Sequence, residues 1–236
     1  MARREKGSGN SGSNSMTVRI EDLLEVQPIT KNQELVFEAW DQGDNLVLAG
    51  SAGTGKTFLA LFMAFEEVLE PDTIYDQVVV IRSMVPTRDM GFLPGTMEEK
   101  QDAYTSPYRS ICAELFGDTT TYNKAISAKK VRFESTSFIR GVTINNSIIV
   151  VDEMQNLNFH ELDSVITRVG KNTRIIFCGD YRQSDFKWDD DKEGIIKFLN
   201  IMEQLKKFTT VTFGWEDIVR SDFVRDYIMT KELLNY

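Results

Sequence analysis

The segment NLVLAGSAGTGKTFLALFMAFEEVL, Asn45 to Leu69, decides the architecture. Asn45 to Ala49 is a near-continuous apolar run, the pattern of a strand buried on both faces in a parallel sheet. Thr57 to Leu69 reads as a helix. Between them GSAGTGKT, Gly50 to Thr57, fits the phosphate-loop pattern with no departure and has the strand-loop-helix context that pattern needs. Its residue types follow from the chemistry. Gly50, Gly53 and Gly55, with Ser51, Ala52 and Thr54 between them, let backbone N–H groups ring phosphate oxygens. The helix N-terminus behind them adds partial positive charge. Lys56 supplies a point charge to the β and γ phosphates, and the Thr57 hydroxyl is a Mg²⁺ ligand. The motif therefore predicts a nucleoside triphosphate site.

Outward from this loop the chain alternates apolar runs with helical patterns. QVVVI (Gln77 to Ile81), SIIVV (Ser147 to Val151), RIIFC (Arg174 to Cys178) and TTVTF (Thr209 to Phe213) are further strand candidates. Phe159 to Val169, Gly194 to Lys207 and Asp222 to Leu234 carry helical periodicity. The alternation predicts an α/β fold, a parallel sheet sandwiched by helices, with its ligand site at the carboxyl ends of the strands. One domain over residues 16–236 is the economical reading. Met1 to Ser15 is Gly/Ser/Asn-rich and is expected to be a disordered leader.

Composition narrows the classes. No apolar run approaches the roughly 20 residues of a membrane span, and no apolar region follows the charged start as a secretory signal requires. Two cysteines, Cys112 and Cys178, cannot make a disulfide framework, so a reducing cytoplasm is the expected compartment. The net charge is −9, and the basic leader leaves the remainder more acidic still. Such a surface does not attract polyanions generally. Nucleic-acid contact would need a local basic strip, or several chains pooling one. His160 is the only histidine, which leaves a zinc site or a Ser/His triad without support.

Other chemistry-bearing residues cluster just after strand ends. Asp152 can hold Mg²⁺ through water, and Glu153 can polarise an attacking water. In RIIFCGDYRQSD, Gly179 allows a sharp exit, Asp180 can orient water or metal, and the Gln183 amide can read a γ-phosphate. Asn32 and Gln33 precede the first strand, where an amide can pair with adenine N6 and N7. Asn123-Lys124 is followed by Ala125 and Ile126, so no guanine-reading sequence is present and adenine is the expected base.

These blocks resemble the phage branch of the PhoH family, the phosphate-starvation-inducible ATPases, which look like the first RecA-like domain of superfamily 1 helicases. The resemblance covers about Pro28 to Lys231. It rests on GSAGTGKT, on VVIRSMVPTRDMGFLPGTMEEK (Val79 to Lys100), on STSFIRGVTINNSIIVVDEMQNLNFHELDSVITRVG (Ser135 to Gly170), on IIFCGDYRQSD and on DIVRSDFVRDYI (Asp217 to Ile228). Met154 stands where the family commonly has Ala or Cys, and Asp189 to Glu193 looks like a variable acidic loop. The resemblance implies a single RecA-like core that hydrolyses ATP with Mg²⁺. Asp152 and Glu153 would be its Walker B pair, Gln183 its γ-phosphate sensor and Gln33 its adenine-reading glutamine. Arg140, Arg168 and Arg220 become candidates for the nucleotide site, each with a surface salt bridge as the plain alternative. Arg220 leads them as an arginine finger, because it follows the last strand and would reach a neighbour's site or its own; in an oligomer it is expected on the site of the adjacent subunit. Helicase relatives touch nucleic acid after the second strand. Arg82, Ser83, Thr87 and Arg88 would be phosphate donors there, and Phe92 would stack on a base. With one core, a motor on single-stranded RNA or DNA requires a homo-oligomer, such as a hexameric ring. Two other classes use the same cradle: a phosphotransferase, and a nucleotide-gated binding protein with little turnover.

Overall fold

The computed structural model describes residues 17–83, 97–136, 139, 141–180 and 189–234, with backbone alone at 97–101 and 189–192. The expected leader Met1 to Ser15, and Thr87, Arg88, Phe92, Arg140 and Gln183, lie outside the described residues. In chain order the elements are α1 (Lys31–Asp41), β1 (Asn45–Gly50), α2 (Lys56–Leu69), β2 (Gln77–Arg82), α3 (Met97–Phe116), α4 (Thr121–Ser127), β3 (Val131–Ser135), β4 (Ser147–Val151), α5 (Phe159–Ile166), β5 (Thr173–Gly179), α6 (Asp189–Glu203), β6 (Phe208–Phe213) and α7 (Asp222–Leu233). The strands form one six-stranded sheet in the order β3-β2-β4-β5-β1-β6. Every pairing is parallel.

The apolar runs lack alternation because both faces of the sheet are covered. Leu46, Leu48, Val78, Val80, Ile148, Val150, Ile176 and Cys178 join a core with the buried faces of α1 to α4. Their neighbours Val47, Ala49, Val79, Ile81, Ile149, Val151, Ile175 and Phe177 join a second core under α5 and α6. Successive strand residues point to opposite faces, so a strand between two cores must be apolar at every position. Central α2 shows the same logic, with nine buried residues around its circumference.

All five strand expectations correspond to strands, and β3 is added. VRFES carries Arg132 and Glu134, paired at 3.4 Å, because β3 is an edge strand that needs only partial cover. Helices α1, α3 and α4 are additional too. In α3 the stripe Tyr104, Tyr108, Cys112, Leu115 is buried, but a polar sequence and an internal Pro107 mask it. The acidic stretch Asp189 to Glu193 is not a loop. It is the start of α6. Helix α5 stops at Ile166 rather than Val169, with Thr167 as C-cap. Among the described residues no helix is long and apolar enough to cross a membrane.

Candidate active site

β1 delivers the chain at the carboxyl edge of the sheet, and the loop to α2 turns there through Gly53 and Gly55, at φ of +75° and +84°. Those left-handed conformations disfavour a side chain. Lys56, the first residue of α2, folds back into the loop. Its Nζ donates to Gly50 O (2.8 Å), Ser51 O (2.7 Å) and Thr54 Oγ1 (3.2 Å). Burial lowers its pKa, and nearby negative groups, Asp180 foremost, oppose that shift.

β5 separates β1 from β4 in the sheet, yet the two strand ends converge. Thr57 Oγ1 donates to Asp152 Oδ1 at 2.7 Å, while the Tyr108 hydroxyl donates to Asp152 Oδ2 at 2.9 Å. Asp152 and Tyr108 are both buried. Arg82, at the end of β2, lies beside Tyr108. Burial opposes its charged form, and the Glu153 and Asp152 carboxylates nearby raise its pKa.

Glu153 is strained. It sits at φ +53° and ψ +45°, a conformation non-glycine residues adopt rarely and mostly under structural compulsion. Gln155 Nε2 donates to Glu153 Oε2, and Gln155 Oε1 accepts from the Asp180 N–H at 3.0 Å. One amide thus ties the end of β4 to the end of β5. Gly179 makes the approach feasible: a Cβ there would lie 2.5 Å from Gln155 Oε1 and 2.6 Å from Met154 Cγ. Close approach, not the expected sharp exit, is what this glycine serves. Burial and then Asp152 raise the Glu153 pKa, with Arg82, Gln155 and Lys56 opposing.

The donor set suits Mg²⁺. Thr57 and Asp152 offer a hydroxyl and a carboxylate, and the described residues contain no cluster of three or more His, Cys, Asp or Glu side chains that could cage a metal. Mg²⁺ is commonly held by one or two carboxylates, with waters and substrate phosphates completing its shell.

A family profile described as "PhoH-like protein" matches residues 25–231. The chain belongs to the PhoH-like family. A PhoH-like protein of Mycobacterium leprae is 28% identical over 227 residues, 94% of this chain and 64% of the relative. Protein PhoH of Escherichia coli K12 is 29% identical, covering 85% of this chain and 57% of the relative. Protein PhoH2 of Bacillus subtilis is 34% identical, covering 72% of this chain and 40% of the relative. The chain therefore spans less than two thirds of these relatives' length. In architecture it is similar to the large terminase of a thermophilic bacteriophage, with TM-score 0.48, 14% identity, and cover of 85% of this chain and 50% of that one. It is also similar to the Hef helicase domain of Pyrococcus furiosus, with TM-score 0.46, 14% identity, and cover of 80% and 40%.

Within this PhoH-like fold several expected site residues take other places. Gln33 is buried. Its Oε1 accepts from the Ile29 N–H at 3.0 Å, and its Nε2 reaches Thr54 O at 3.5 Å, so it braces the phosphate loop rather than presenting its amide to a base. Asn32 pins the end of β6 through Thr212 O and Asp217 Oδ2. Arg82 turns inward to Tyr108, and Ser83 is buried, so neither is presented as an external phosphate donor. Arg168 lies at the opposite, amino edge of the sheet, where its carbonyl accepts from Ile144 N–H ahead of β4. A short α5 carries the chain away from the site before this arginine is reached.

Arg220 lies at the phosphate loop of its own chain. The Val219 N–H donates to Gly53 O at 3.0 Å, and a Cβ on Gly53 would lie 3.0 Å from Arg220 Cγ. The arginine stem packs on the phosphate loop of its own chain, because β6 runs beside β1 and ends level with Gly50. Helix α7 follows across the same loop. Ile228 Cδ1 would meet a Gly53 Cβ at 3.3 Å, and Glu232 Oε2 accepts from Ser51 Oγ at 3.2 Å and from the Trp215 indole. Sequence reasoning missed Tyr108, Gln155 and Glu232. Gln155 had a signal, an amide beside the acid pair; Tyr108 and Glu232 act across long loops and had none.

Proposed function

We propose that this chain binds ATP with Mg²⁺ and hydrolyses it with water. The observation that carries the reading is the convergence of Thr57 and Asp152 at 2.7 Å, in the residue pair that a phosphate loop and a second strand end supply for a metal-bound triphosphate. When bound, Mg²⁺ would offset charge developing in the transfer. Thr57 and Asp152 would hold it, Asp152 through water. Lys56 exchanges its carbonyl partners for phosphate oxygens, whose charge favours the protonated ammonium that burial disfavours. Glu153 takes the proton of the attacking water. Its raised pKa makes it a stronger base than an ordinary carboxylate. Arg220, on the same cradle, supplies cationic charge in cis.

Water as the acceptor distinguishes this reading from a phosphotransferase, and turnover distinguishes it from a nucleotide-gated binder. The measurement is phosphate release from ATP and GTP, with and without single-stranded RNA or DNA. ATP should be preferred. Glu153→Gln should keep nucleotide binding and lose at least about a hundredfold in rate, the general-base range. Wild-type turnover in that variant overturns the assignment. Stimulation by nucleic acid, with assembly of the active species into a ring, would extend the proposal to an oligomeric motor.

A further inference from the structure

Both oxygens of Asp152 are occupied by hydroxyl donors, and they come from unrelated parts of the chain. Thr57 belongs to the phosphate loop. Tyr108 comes from α3, 44 residues before Asp152; the residue is 1% exposed, and its ring packs on Phe133 at 5.9 Å between centroids. A tyrosine hydroxyl has one proton to give. Arg82 lies beside it and has only donors, so the tyrosine oxygen can face that cation only as an acceptor. The Tyr108 proton is thereby directed to Asp152. The Thr57 proton is directed to the other oxygen, which leaves the Thr57 lone pairs facing away from the carboxylate. With both oxygens held, Asp152 does not turn onto Lys56. The ammonium of Lys56 meets two carbonyls and a hydroxyl, although Asp152, Glu153 and Asp180 all act on it.

We propose that Tyr108 is a positioning residue for the metal site: its hydroxyl, directed by Arg82, holds Asp152 in the orientation that serves Thr57 and the Mg²⁺ water shell. This rests on the Mg²⁺–ATP reading. Outer partners of metal ligands act by fixing orientation and basicity, so their loss weakens the metal and not the nucleotide.

The test is binding of a fluorescent ADP analogue across a Mg²⁺ series, for wild type, Tyr108→Phe and Arg82→Met. Tyr108→Phe keeps the buried ring. It should raise the Mg²⁺ needed for half-maximal tightening about tenfold or more, and leave affinity without Mg²⁺ within about twofold. Arg82→Met frees the tyrosine proton to reorient and should shift the midpoint in the same direction by less. A merely structural role would lower affinity equally at every Mg²⁺ concentration. An unchanged midpoint in Tyr108→Phe overturns the proposal, and should that variant not fold, an unchanged midpoint in Arg82→Met does so. If wild type binds Mg²⁺–nucleotide but releases no phosphate, hydrolysis falls and the Tyr108 assignment still stands or falls on its midpoint. Wild-type binding indifferent to Mg²⁺ overturns both.

Discussion

Lys56, half-buried, and Arg174, buried, are cations drawn out of solvent at opposite edges of one sheet, and they are held differently. Arg174, near the start of β5, has a counter-charge in contact: its guanidinium pairs with Glu67 at 2.9 Å. It also donates to Trp40 O (2.7 Å) and Asp44 O (2.9 Å), and lies 3.2 Å from the centroid of the Trp40 ring. Lys56, just past the end of β1, has only carbonyls and a hydroxyl at hydrogen-bond distance, with the acids kept one step away. Arg174 fastens α1, α2 and the start of β5 together, and its electrostatic partners are internal. Lys56 holds an ammonium in a low-dielectric loop with no carboxylate in contact among the described residues, an arrangement suited to an anion from outside. The same physical cost, partial or full desolvation of a cation, therefore supports stability at one edge and binding at the other.

Exchanging each cation for methionine separates the two roles. Lys56→Met should lower ATP affinity by about a hundredfold or more, as expected when one partner of a buried charged contact is removed. Stability in urea should be unchanged or slightly raised, because the desolvated charge is gone. Calorimetry and urea melts read these two quantities, and a large loss of stability would make Lys56 a second fastener. Arg174→Met should do the reverse. It leaves Glu67 without its partner, and with Glu67 still about one-third exposed the loss should be about 3 kcal/mol of stability. Nucleotide affinity should stay at the wild-type value. A drop in affinity at full folding would show that the two edges are coupled.

The smallest effect concerns Glu153, the acid nearest the boundary between these roles. Its pKa is raised in the fold, chiefly by burial and then by Asp152, so the folded protein favours the protonated form. The stability this contributes is present below the unfolded value of about 4.3 and is lost as pH rises through the folded value. Glu153→Gln is neutral at every pH. Its stability relative to wild type should therefore grow across that window and then level off, measured by thermal midpoints from pH 4 to 8. A constant difference would place the strain of Glu153 in its backbone alone.

The sequence by itself determined the phosphate loop, five of the six strands, the parallel α/β class and the acids at the end of β4. These are local signals. A strand covered on both faces must be apolar throughout, and a loop that wraps phosphate must carry Gly, Lys and Thr at fixed spacing. Local pattern was weakest where local chemistry is ambiguous: β3 alternates because it lies at an edge, and α3 hides its buried stripe behind Pro107. Only the tertiary structure decided the partners. Nothing near Tyr108 in sequence shows that packing of α3 sets its hydroxyl on Asp152. Nothing near Arg82 shows that it turns to that tyrosine rather than outward. Arg220 reads equally well as a finger for a neighbour or for its own site, and the pairing of β6 beside β1 lays its stem on its own Gly53. Residue type sets what a side chain can do, and strand order sets which groups it meets.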